Sequence, residues 1–553
     1  MKINLRDPKK IMKLSKLGCF HQSKLSFLRS FLKEFKTWKY NRDLFDLDEN
    51  GFGRAVYSFS KNKRIYSLIC FANKIDDNER SDRVIATKWD AAFTLHDGIP
   101  SKNDLDRLSE NVPKQEVGRM SYKELTLSRA NKSVRIFDHV VDSLSNGRQP
   151  DKSKISEVGY LYRTTAVYGS GKFGLADRFR IKNRNEIFGP FRLEMMLVYL
   201  VRQFTFDQVN HIAKYKNPKK AIKLDTDICR NLGIGNSTGL GMAPFIVNHP
   251  TLLNNWISAR ENVLKKIREI KVVEKKSEDI FKNCLKKSLK NISSWTTDSE
   301  FQKKKILSLN EDLIKFTKFL DENPLFQSEY PFNEIYLWSE KNLKDECIEY
   351  IVSMMMEPFD EIVEPYVYKM SSEEDKFFTI PASRTIQDLR RILEEKYSDI
   401  LKIDFSKKES NQNFWFISKN KEEPRLADRF HDNGSELEQP LAIARDINEL
   451  YSRISNVKNS LKVGKFLLEN NDLRHVVRRA FIIEKFPYAE IQDNTIGSEL
   501  VAIDMLRLKL SFFGAVKFDP RSDKWLRISM FQGAPLPEDL NSFNDQWVYN
   551  SLN

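Results

Sequence analysis

Cysteine and histidine are scarce in this 553-residue chain, with five of the first and seven of the second. The cysteines (Cys19, Cys70, Cys229, Cys284, Cys347) are far apart and odd in number and make no CxxC pair. That excludes a disulfide framework and a zinc ribbon. The histidines (His21, His96, His139, His211, His249, His431, His475) form no HxH or HExxH pattern, so no metal site is expected. No apolar run reaches the ~18 residues of a membrane span. The N-terminus has neither the apolar core nor the small-residue cleavage site of a secretory signal. The expected setting is therefore cytoplasmic and reducing. There is no G-x-S-x-G elbow, and nothing in the spacing supports a nucleophilic serine or cysteine.

What the chain does have is 41% apolar residues with charged residues interspersed among them, enough to bury several cores. Its 91 basic and 77 acidic residues leave a formal charge of +14. Such a balance points to nucleic acid only where the basic residues gather on one face. The lysine-rich stretches 213–223 and 264–305 keep that alternative open.

Periodicity and turn residues predict an α+β chain, predominantly α-helical, with small antiparallel sheets packed on a central helical body. Five segments are expected. Residues 1–50 read as a basic helical segment, with Phe27, Leu28, Phe31, Leu32 and Phe35 at helical spacing. In 51–118, "RAVYSFS" and "RIYSLICFANKI" flank the turn "KNK" and read as antiparallel strands. Residues 119–250 form a central helical core with two glycine-rich loops. Within it, Ser121 and Glu124 look like a capping box that opens one helix over 121–145. "PFRLEMMLVYLVRQFTFDQVNHIAKY", 190–215, is apolar nearly all round and belongs at the centre of a fold. Residues 251–345 read as long charged helices, and 346–553 as a C-terminal α+β domain with a hairpin at 399–430 and "HDNGSELEQP" as a loop.

The glycine-rich stretches carry the strongest hint of a ligand. "NLGIGNSTGLGMAPF", 231–245, supplies Gly233, Gly235, Gly239 and Gly241, with Asn236, Ser237 and Thr238 as polar donors, and reads as a turn that leads into a helix. Glycine lets backbone N–H groups converge on an anion, and a helix N-terminus adds its dipole. The spacing is GxGxxxG, which is not the dinucleotide fingerprint. The stretch also shares a few residues with the glycine-serine loop of GHMP-type small-molecule kinases. It lacks that loop's upstream proline and paired serines, so no role is carried over. "YGSGKFG", 168–174, fails the Walker pattern at both ends, with Ala166 and Phe173 where glycine and a hydroxyl residue are required. It leaves Lys172, with Arg163 nearby, as an anion contact.

Two charged residues in the apolar stretch, Glu194 and Arg202, lie eight apart and so on much the same side of a helix. Glu194 is a candidate acid or base and Arg202 a carboxylate or phosphate clamp. His139, beside Asp138 and within one turn of Arg135 and Asp142, is a second candidate for proton transfer. These residues predict a soluble enzyme acting on a small anionic metabolite, with no cofactor specified by any template. A nucleic-acid-binding protein is the alternative, as is a helical scaffold whose charged helices make homo-oligomer contacts.

Overall fold

The computed structural model describes residues 3–76, 88–113, 121–164, 183–189, 191–236, 250–295, 300–370, 378–407, 415–418, 424–426, 435–437, 443–491, 511–512, 514, 517–522, 525–542, 545, 547–549 and 552. The chain divides into two units, each assembled from separated stretches: 26–239 with 513–553, and 1–25 with 240–512.

In the first unit, residues 53–72, rich in aromatic and aliphatic side chains, form β2 (Gly53–Lys61) and β3 (Arg64–Ala72). Asn62, between them, takes the left-handed φ of 56° that a two-residue hairpin loop needs. The remaining strands are β1 (Lys39–Leu47), β4 (Ala91–Asp97), β5 (Glu124–Lys132), β6 (Tyr160–Thr164), β7 (Gly233–Asn236), β11 (Lys517–Ser522) and β12 (Trp525–Met530). Together they make one nine-stranded sheet in the order β1-β2-β3-β4-β5-β6-β7-β12-β11. Neighbours are antiparallel except β6 and β7, which are parallel. Among the described residues, the α-helices of this unit are α1 (Phe27–Phe35), α2 (Lys102–Asn111), α3 (Phe137–Ser145), α4 (Lys152–Val158), α5 (Asn185–Phe188), α6 (Arg192–Lys216) and α7 (Thr226–Asn231).

Helix α6 is the apolar stretch of the sequence. It is buried on nearly every side, from Leu193 to Val209, and touches strands β2 to β7. The Phe204 ring lies 6.4 Å from that of Tyr57 on β2, 5.9 Å from Phe93 on β4 and 6.3 Å from Tyr162 on β6. In a flat sheet, four strand spacings of ~4.8 Å would separate β2 from β6 by about 19 Å. One ring can meet both only because the sheet curls around the helix. Tyr199, also on α6, stacks on Phe59 of β2.

The second unit is mainly helical. Its longest elements are α8 (Pro250–Arg268), α9 (Lys275–Ser293) and α10 (Glu300–Glu322), as the charged stretch predicts. They are followed by α11 (Pro331–Asn342), α12 (Asp345–Met355) and α13 (Asp360–Met370). A separate core joins α14 (Ile386–Lys396), α15 (Ile443–Ser455), α16 (Val463–Glu469) and α17 (Arg474–Lys485). Of the hairpin expected at 399–430, β8 (Trp415–Ser418) and β9 (Pro424–Leu426) pair antiparallel, whereas Ile400–Lys402 is a 3-10 turn. No helix among the described residues is long and apolar enough to cross a membrane.

The structure corrects five sequence expectations. The fold is mixed α+β, but its main sheet is large and mixed rather than small and antiparallel. Residues 121–145 are not one helix. The Glu124 carboxylate does accept the Ser121 N–H, but Glu124 opens strand β5, and only Phe137–Ser145 is helical. Pairing with β4 and β6 overrides the local helical signal. Residues 39–47 of the N-terminal segment form β1, and "SEL" within the expected loop forms β10 (Ser435–Leu437) beside β8. Gly233–Asn236, expected as a turn, is a strand inside the sheet.

Phe204→Ala should lower the unfolding free energy by about 3–5 kcal/mol, because the cavity opens under three strands at once. Urea unfolding followed by circular dichroism checks this. A loss below about 1 kcal/mol would mean that the curl does not depend on this ring.

Candidate functional site

Directly opposite residues on neighbouring strands point to the same face of a sheet. Asn131 of β5 pairs with Arg163 of β6, Arg163 with Gly235 of β7, and Gly235 with Ser529 of β12. Asp90, just before β4, extends this row. Its N–H donates to Asn131 Oδ1 at 3.1 Å, and its carboxylate accepts the Lys132 N–H at 3.0 Å. Asp90, Asn131, Arg163 and Ser529 are all at most 5% exposed, so a line of polar side chains crosses the sheet below the surface. Buried polar groups are retained where hydrogen bonds or a ligand satisfy them.

The local backbone explains the glycines. Between Tyr160 and Arg163, β6 carries one residue more than the matching stretch of β7. This bulge brings Tyr160 and Arg163 together over Gly235. A methyl group at Gly235 would lie 2.9 Å from both Arg163 Cγ and the Tyr160 ring. At Gly233 it would collide with the carbonyl oxygen of Met530, so this position admits β12 only as glycine.

Two more guanidinium groups flank the row. Arg135 donates to the Tyr160 hydroxyl at 3.2 Å, and Arg129 lies over the Trp89 ring at 4.5 Å. Thr164 and Asn236 are register partners at the carboxyl ends of the parallel pair. In sequence the chain runs on from these two ends towards Lys172 and through Ser237 to Gly241, all outside the described residues.

Of the predicted site residues, the structure brings together Arg163 and Gly235, with Gly233 and Asn236 on the same strand as Gly235. Lys172, Ser237, Thr238, Gly239 and Gly241 lie outside the described residues. Glu194 sits half-buried in the first turn of α6. It is two residues from Arg192, which pairs with Glu34 at 2.5 Å and donates to Ser30 Oγ at 3.2 Å. Burial, more than any neighbouring charge, raises the Glu34 carboxyl above its ordinary range.

Arg202 is fully buried and turned to the backbone. It donates Nε to Leu232 O (2.7 Å), Nη1 to Pro535 O (3.1 Å), and Nη2 to the carbonyls of Cys229 (3.0 Å), Arg230 (3.1 Å) and Ala534 (3.0 Å). It thus closes the C-terminus of α7 and fastens the 534–535 segment to α6. Burial lowers its pKa to about 10. Its donors serve carbonyl oxygens, which is not the geometry of an anion clamp. His139 also meets backbone: its Nε2 accepts the N–H of Asp151, the N-cap of α4, at 3.3 Å.

Sequence reasoning missed Asp90, Asn131, Tyr160 and Ser529, because strand register alone places them beside Arg163. It also missed Asp207 on α6. That carboxylate accepts from the Tyr57 hydroxyl (2.9 Å) and Gln203 Nε2 (3.4 Å), lies 3.3 Å from Arg42, and is shifted upward by burial. All five cysteines are buried and free, and burial pushes the thiols of Cys19 and Cys229 up to about 11 and about 12. Thiols held that far above neutrality make poor nucleophiles. Among the described residues, no three His, Cys, Asp or Glu side chains gather as a metal site.

Burial, then the Lys154 charge, lowers the His139 pKa from its ordinary 6.5. A group that binds its proton more weakly when folded adds stability that is complete above its unfolded pKa and is lost as pH falls. Wild-type protein should therefore lose stability between about pH 7 and about pH 5, and His139→Gln should lose less over that window, as read by urea unfolding at each pH. Equal losses would remove His139 from the account. Compared with family models, with curated proteins and with solved structures, the chain matches none.

Proposed function

We propose that this chain is a cytoplasmic enzyme that acts on a small anionic metabolite bearing a carboxylate or phosphate, bound at the carboxyl ends of β6 and β7. One observation carries the reading: strand register sets Arg163 against Gly235 on the parallel pair β6 and β7. Arg163 offers a planar guanidinium for an oxyanion, and the bare backbone at Gly235 allows close approach. Asn131 and Ser529 add polar groups in the same row. Glu194 is the proposed proton carrier. Arg202 and His139, both bonded to backbone, serve the framework in this reading. Five free thiols suit a reducing compartment.

A screen of carboxylate and phosphate metabolites by thermal shift tests this, since a ligand at 100 times its dissociation constant stabilises the native state by about 2.7 kcal/mol. Arg163→Gln and Gly235→Ala should each abolish the shift of a positive compound. A shift that survives Arg163→Gln would place the ligand elsewhere.

A second reading, binding of nucleic acid, is favoured by α9. Lys286, Lys287 and Lys290 are exposed on one side of that helix, and none of them makes an ion pair with a described residue. If this face binds a phosphate backbone, replacing the three lysines by glutamine should weaken binding of a single-stranded oligonucleotide in fluorescence anisotropy. Raising salt to about 0.5 M should weaken it as well. Binding indifferent to both changes would exclude the face.

A further inference from the structure

In the helical unit, α15 grips the connection between α16 and α17 at two points, Asp446 and Arg453, two turns apart and so on much the same side of the helix. Arg453 donates Nη1 to Asn470 Oδ1 and to Asp472 Oδ1 (3.2 Å each), and its Nη2 lies 3.0 Å from Asp472 Oδ2. Asp446 meets His475, whose Nε2 lies 2.8 Å from Asp446 Oδ2. The connection itself is the 3-10 turn Asn471–Leu473, and His475 is the second residue of α17. Leu473 is buried in the core that α14 to α17 share.

The arginine grip keeps its charge at any pH a protein meets. The histidine grip does not, because of what each ring nitrogen faces. Nδ1 lies 2.9 Å from the carbonyl oxygen of Asp472, which can only accept, so Nδ1 holds a proton whether the ring is charged or neutral. Nε2 faces an ionised carboxylate, which also only accepts. Both partners are therefore satisfied only by the imidazolium. In the neutral ring Nε2 turns a lone pair towards Asp446 Oδ2, and an attraction becomes a repulsion.

The surroundings act on this proton in both directions. The hydrogen bond to Asp446 is the main cause that raises the His475 pKa above its ordinary 6.5; burial lowers it, and the charge of Asp446 and both the carbonyl and the charge of Asp472 raise it further. The N-terminal dipole of α17 opposes a cation here. Arg445 and Arg474 precede the two partners in sequence, and Glu449 pairs with Arg453 at 2.7 Å.

We propose that His475 and Asp446 form a pH-gated clasp, which fastens the 470–475 connection to α15 while the ring carries both protons and lets go when the Nε2 proton leaves for solvent. The sign follows from linkage. A group that holds its proton more tightly when folded adds stability that is complete below its unfolded pKa and is lost as pH rises through the folded one. The clasp is thus closed below about pH 6.5 and opens on the alkaline side. This dependence is opposite in sign to that of His139.

The test uses the full chain. Hydrogen–deuterium exchange of residues 470–475, corrected for the intrinsic effect of pH, should accelerate roughly two- to fivefold between about pH 6 and about pH 9, the scale of one exposed ion pair. In Asp446→Asn the side-chain amide can donate to the neutral ring, so the acceleration should disappear. The His475 imidazole resonance, identified by its loss in His475→Gln, should titrate above about pH 6.5 in the wild type. If Asp446→Asn does not fold, that titration decides. The proposal is overturned if His475 titrates at or below its ordinary value, if wild-type exchange at 470–475 is indifferent to pH, or if Asp446→Asn accelerates as the wild type does.

Discussion

The contact of Phe204 with Tyr57, Phe93 and Tyr162 ties strands β2, β4 and β6 to one point on α6. Everything else in the sheet-bearing unit follows from enclosing that helix. A helix apolar on all sides has no face to give to water, so the sheet must come round it. Strands that wrap a helix on one side and carry loops and α2 on the other are buried on both faces. This is why β3 reads as a nearly continuous apolar run, and why all five residues of β6 are buried.

Polar groups inside such an envelope have to be answered one by one. Arg202 is answered by five carbonyl oxygens and becomes a fastener for α7 and the 534–535 segment. Tyr162 and Gln208 answer each other at 2.9 Å, and Gln208 passes its amide to Gly51 O at 2.8 Å. The row from Asp90 to Ser529 differs because its members come from five separate stretches and converge beside a residue with no side chain. That contrast separates framework from candidate site more firmly than residue type does. In the sequence, Arg202 and Arg163 are equally plausible clamps.

Local signals were legible in the sequence. The apolar 190–215 stretch, the hairpin around Asn62 and the long charged helices each follow from periodicity or turn chemistry over a few residues. Strand β5 was not legible. "ELTLSRANK" carries helix formers and a capping pattern, and only its place between β4 and β6 makes it a strand. The glycines were noticed, but for a different reason from the one the structure gives. Gly233 and Gly235 are small because a carbonyl of β12 and the side chains of Tyr160 and Arg163 press on them. Ser529, opposite Gly235, stands almost 300 residues away in the chain, and no local rule connects the two.

That separation has a consequence for how the protein is made. Strand β7 leaves the ribosome early, yet its neighbour β12 begins only at residue 525. At a synthesis rate of roughly 5–20 residues per second, the bare edge of β7 waits about 15–60 s for its partner. Over that interval the growing chain carries an open strand edge of the kind that templates pairing with other chains. Gly233 and Gly235, poor strand formers without side chains to stack, make that edge a weak template while it waits.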